Sequence, residues 1–104
     1  MNTEEFLRLI EKQPPCLQTL PKGLQAMWYD NKGDYNKAHE IVTDASDADS
    51  AWVHAYLHRK EGDSYNAHYW YQRSGQPEFS GELSQEWEQI TSVLLKKVNV
   101  THEC

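Results

Sequence analysis

The sequence predicts an all-α protein of roughly six helices arranged as antiparallel helix-turn-helix units. Three observations carry that prediction. Apolar residues recur at offsets of three and four, most plainly at Leu83, Trp87, Ile90 and Leu94, which form one stripe of a helix. Stop and start signals occur back to back at Gly33-Asp34 and Gly62-Asp63, a residue suited to the left-handed turn followed by an N-cap. No alternating apolar and polar run competes for a strand.

Each element has its own local cause. Thr3 can cap a short first helix over about 3–12, with Glu4 and Glu5 favoured by the dipole of its first turn and Phe6, Leu7, Leu9 and Ile10 on its apolar side. Pro14 and Pro15 stop it. A second helix starts after Pro21 and runs to about Lys32, carrying Leu24, Met27 and Trp28. Gly33 ends it, and Asp34 caps a third helix with Ala38, Ile41 and Val42. The run SDADS offers several caps for a fourth helix over Ala51 to Lys60. Gly62 and Asp63 repeat the break, and a fifth helix ends near Ser74-Gly75. GQPEFSGE reads as a loop, and a last helix spans about 82–98 with Lys96 and Lys97 in its final turn. Residues 99–104 read as a flexible tail. The chain is thus one domain over 1–98, with paired-helix units at about 22–45 and 51–77 and flanking helices at about 3–12 and 82–98.

The two units are copies of one pattern. AMWYDNKGDYNKAHEIV from Ala26 aligns without gaps on AYLHRKEGDSYNAHYWY from Ala55. Ala26, Gly33, Asp34, Ala38 and His39 coincide with Ala55, Gly62, Asp63, Ala67 and His68 at a constant spacing of 29 residues. Val42 and Tyr71 keep the same apolar register. A small residue on each helix lets two antiparallel helices approach closely, the glycine turns the chain and the aspartate caps the next helix. A period in this range points to stacked helical units, as a right-handed array or a compact bundle.

This pattern resembles the tetratricopeptide repeat. Ala26, Tyr29, Gly33, Tyr35, Ala38, Val42 and Ala45 match in the first unit, and Ala55, Gly62, Ala67, Tyr71 and Ser74 in the second, with Pro77 just beyond. The chain departs from the family where His58 replaces Tyr29 and Ser64 replaces Tyr35. Its period is also shorter than the family's 34 residues. The second unit is similar as well to small bacterial proteins without an assigned function. The resemblance covers about Lys22 to Pro77 and implies a non-enzymatic scaffold that binds a protein or peptide. Its concave face would present Met27 from the first unit and Trp52, Tyr56, Arg59 and Lys60 from the second. Aromatics beside cations suit an acidic or C-terminal carboxylate ligand. The competing expectation is that Trp52 and Tyr56 pack beneath a flanking helix, because a two-unit array must cover its ends.

Composition bounds the partners. A chain of 104 residues buries roughly 65% of its unfolded surface, enough for one modest core. Only 38% of residues are hydrophobic, yet the 12% aromatic share makes each buried side chain large. A net charge of −6 argues against nucleic acid and against anionic membrane surfaces, which need a basic footprint. No apolar run suits a leader or a membrane span. Two cysteines, Cys16 and Cys104, are few for a disulfide-built domain, so a reducing, cytoplasmic setting fits, with a Cys16–Cys104 bridge as the alternative. A homo-oligomer is compatible with all of this.

One constellation points to chemistry instead. His54 and His58 lie four apart and Glu61 three further on, so all three share one helical stripe. His68 begins the facing helix. Two histidines at that spacing with a third ligand from Glu61 or His68 could hold zinc with a position left open. That is the alternative function, a metal- or small-ligand-binding helical domain that could also be catalytic. HAYLH lacks the glutamate that would make it a metalloprotease motif. Asp34 and Asp63 read as caps, and the recurrence of His39 and His68 reads as packing or surface. No phosphate loop, dinucleotide fingerprint or nucleophile elbow occurs. No catalytic residue and no cofactor is expected from sequence alone.

Overall fold

The structure is a computed structural model that describes residues 1–98; the expected tail, and with it the alternative Cys16–Cys104 bridge, lies outside the described residues. Six α-helices are described: α1 (Thr3–Lys12), α2 (Lys22–Asn31), α3 (Tyr35–Thr43), α4 (Ala48–Lys60), α5 (Ser64–Ser74) and α6 (Leu83–Lys96). A 3-10 segment over Pro14–Thr19 joins α1 to α2, a piece of helix that the paired prolines start as much as stop. No strand occurs among the described residues, and no helix is long and apolar enough to cross a membrane.

Caps explain the helix boundaries. Asn2, not Thr3, caps α1: its side chain accepts from the Glu5 amide at 2.8 Å, and the Glu5 carboxylate accepts in return from the Asn2 amide at 3.0 Å. Thr3 is freed to donate its hydroxyl to Glu88 on α6 at 2.8 Å. Asp34 and Asp63 do cap, accepting from the amides of Lys37 and Asn66, both at 3.1 Å. Asp47 captures the Ser50 amide at 3.0 Å, which starts α4 three residues before the expected Ala51.

Gly33 and Gly62 turn the chain alike, with φ of 84° and 86°. Nothing lies within 4 Å of a Cβ built on either, so only backbone conformation demands glycine there. Gly62→Ala is therefore expected to lower stability by roughly 1–2 kcal/mol through left-handed strain alone. Gly62→Asn should lose less, because asparagine tolerates that region. Denaturant unfolding of the two variants checks this; equal losses would mean that something other than φ is at work.

The core lies where α6 crosses the helix pairs. α4 packs most extensively on α5 and α2 on α3, and α6 lies against α1, α2 and α4. Ala26, Ala38, Ala55 and Ala67 are all buried, as small residues at close helix crossings should be. Gly23 serves the same end between α2 and α6, where a Cβ would stand 3.1 Å from Leu94 Cδ1. Trp87 of α6 donates its indole N–H to the Met27 carbonyl at 3.0 Å.

This placement corrects the expected concave ligand face. Met27, Trp52 and Tyr56 are 0%, 4% and 2% exposed, so they form core and not groove. The physical reason is α6, whose apolar stripe of Trp87, Ile90 and Leu94 is itself buried and lies against α2 and α4. Nor are Arg59 and Lys60 free cations waiting for a ligand. Arg59 Nε donates to buried Glu86 at 2.9 Å and its Nη2 to the Gly81 carbonyl at 2.8 Å. The Tyr71 hydroxyl donates to the other Glu86 oxygen. Lys60 donates to buried Asp30 at 2.8 Å, and the Tyr56 hydroxyl completes that carboxylate at 2.6 Å. Each buried acid thus holds one cation and one tyrosine, which is how a charge survives in a core.

Candidate metal centre

Away from α6, the junction of α3, α4 and α5 gathers three of the five histidines. His54 lies on the inward side of α4 and is 4% exposed. His58, one turn later, stacks on it with ring centroids 4.8 Å apart and planes 14° apart. Trp70 of α5 stacks on His54 at 4.0 Å. His39 enters from α3 edge-on, at 87° to His54 and 88° to His58. Tyr35, one turn before it, stacks on His39 at 5.8 Å.

The nitrogens converge. His39 Nε2 and His54 Nε2 are 3.1 Å apart, and one ligand nitrogen from each of His39, His54 and His58 lies within 4.8 Å of the others. Two nitrogens bound to one tetrahedral zinc stand about 3.3 Å apart, given bonds of about 2.05 Å. The His39–His54 spacing is already close to that, and His58 offers a third ring nitrogen within 4.8 Å of both.

Electrostatics favour the neutral form of His39 and His54. Burial, reinforced by the neighbouring His39 and His58, pushes the His54 pKa down to about 4. Burial and His58 lower His39 as well, against an opposing pull from Glu61. Two imidazoles at hydrogen-bond distance cannot both carry a proton on the facing nitrogens, so one donates and the other accepts. His54 Nδ1 meanwhile is buried without a hydrogen-bond partner. Two imidazoles held in their neutral form, with ring nitrogens facing each other, suit a shared cation once the bridging proton moves to the far nitrogen.

Glu61 and Asp63 border the site. The Glu61 carboxylate stands 2.8 Å from His58 Nδ1, and Asp63 is at 3.8 Å, beyond hydrogen-bond length. Burial first, and the Glu61 carboxylate second, raise the pKa of Tyr35 well above the phenol range.

Of the four residues expected to form a metal site, His58 meets His54 in one group and Glu61 in another, and His68 joins neither. His68 points outward from α5 and pairs with Glu78 at 2.8 Å, its side chain 56% exposed. His39 takes the third position instead. Both histidines directly follow a buried alanine, Ala38 or Ala67. After α3 comes α4, so His39 has a helix to meet; after α5 the chain loops away to α6, and His68 has none. Recurrence at one repeat position marks His39 and His68 alike, so it could draw attention to His39 but not choose between the two.

No family model matches the chain, and no curated protein or solved structure matches it either.

Proposed function

We propose that this protein binds a divalent transition-metal ion through His39, His54 and His58. The observation that carries the reading is the 3.1 Å approach of His39 Nε2 to His54 Nε2, with His54 buried and the surrounding rings half-buried. Metal binding needs neutral imidazole, and burial supplies it for His39 and His54 without a proton to expel from an imidazolium. An all-nitrogen set favours zinc, copper or nickel over magnesium or calcium, which prefer oxygen. Three protein ligands leave one position for water or an exchangeable ligand, as in catalytic rather than structural zinc sites. Because His39 sits on α3 and the other two on α4, the ion would also tie the first helix pair to the second.

Zinc titration of the full chain by calorimetry tests this. One equivalent should bind, and His39→Ala should abolish it. Zinc at a hundred times its Kd should stabilise the fold by about 2.7 kcal/mol. The absence of both binding heat and a melting shift would sink the proposal.

A second reading, an interaction module for a protein or peptide, draws on α5 instead of the buried α2–α4 face. Tyr65 is 85% exposed and Tyr69 46%. Arg73 lies over the Tyr69 ring at 5.8 Å and the Trp70 ring at 5.4 Å. It becomes the better account if zinc does not bind while Tyr65→Ala with Tyr69→Ala releases a co-purifying partner.

A further inference from the structure

Resting on the metal reading, we infer that Glu61 is not a ligand but the residue that aims His58 at the ion. The carboxylate and His58 Nδ1 are 2.8 Å apart, a full hydrogen bond. An acceptor there keeps the ring proton on Nδ1 and leaves the lone pair on Nε2, at the opposite side of the ring from Glu61. To ligate the ion shared by the three histidines, Glu61 would have to give up that bond; its carboxylate groups with His58 and Asp63, within 4.8 Å of one another, and not with His39 and His54.

Local structure explains why the aim is needed. Glu61 is the C-cap of α4, and its backbone is fixed by amide bonds to Leu57 at 3.2 Å and of Gly62 to Arg59 at 3.1 Å. The carboxylate therefore hangs from the rigid end of the helix that carries His58, three residues on. His54 needs no such partner, because Trp70 and His58 stack on it. His58 is the more exposed of the pair and has one stacking neighbour fewer. A carboxylate behind a metal-bound imidazole fixes its tautomer and raises its basicity, and loss of such a partner weakens binding about 10–100-fold.

The test compares zinc affinity in wild type, Glu61→Ala and Glu61→Gln by calorimetry, with helicity of the metal-free proteins followed by circular dichroism. Glu61→Ala should bind zinc about 10–100-fold more weakly with unchanged stoichiometry and unchanged metal-free helicity. Glu61→Gln, whose amide oxygen can still accept from Nδ1, should recover most of the loss. Equal affinity in all three overturns the inference while leaving the three-histidine site intact. Two equivalents in wild type with one lost in Glu61→Ala and in Glu61→Gln overturns it too, since Glu61 would then be a ligand. Absence of zinc binding by wild type refutes the underlying reading instead, so the two failures are distinct.

Discussion

Arg59→Met is expected to destabilise the protein by roughly 3–5 kcal/mol, the range found when one partner of a buried ion pair is removed. The Glu86 side chain is 1% exposed, so without Arg59 its carboxylate keeps only the Tyr71 hydroxyl. Removing the acid instead should be milder, because the Arg59 side chain is 24% exposed and reaches water. The double variant Arg59→Met with Glu86→Leu should recover much of the loss, since a well-packed apolar pair often equals a buried ion pair. Denaturant unfolding of the two single variants and the double variant measures the coupling. Against a usual stability of about 5–15 kcal/mol, the Arg59 loss alone is large enough to leave part of the chain unfolded. An Arg59→Met protein as stable as wild type would mean that the cation serves something other than the fold.

The second large effect is on pH. His54 has an ordinary pKa of 6.5 and one of about 4 in the fold. The folded state therefore binds fewer protons than the unfolded chain between those values, and stability rises with pH across that window. The contribution is fully present above about pH 6.5 and lost as pH falls towards 4. At pH 4.5 the metal-free protein should have lost roughly 2.5 kcal/mol through this residue. His39, shifted in the same direction, adds to it. Comparing urea unfolding of wild type and His54→Phe at pH 7.5 and 4.5 isolates the effect, because carboxylate titration is common to both. An identical pH response in the two proteins would contradict a buried neutral His54.

Much of the architecture was readable from residues whose effect is local. Glycine at Gly33, Gly62 and Gly75 adopts the left-handed turn, and Asp34 and Asp63 cap, because these roles depend on a few neighbouring amides. The helices of the two units and of α6 follow directly. The part that could not be read was tertiary. Nothing local says that α6 covers α2 and α4, so the residues alone left Met27, Trp52 and Tyr56 open between a groove and a core. Asp30 and Glu86 look like surface acids in sequence, since their partners lie 26 to 30 and 15 to 27 residues away. The histidine site was half legible for the same reason. His54, His58 and Glu61 share one helix stripe, while His39 joins from another helix.

The most direct test of the three-histidine centre is nitrogen-15 NMR of histidine-labelled protein, with and without one equivalent of zinc. The ring nitrogens of His39, His54 and His58 should change together, through Nε2, while His68 stays with Glu78 and keeps its signal. A spectrum in which none of the three responds, or in which His68 moves in place of His39, would contradict the three-histidine centre.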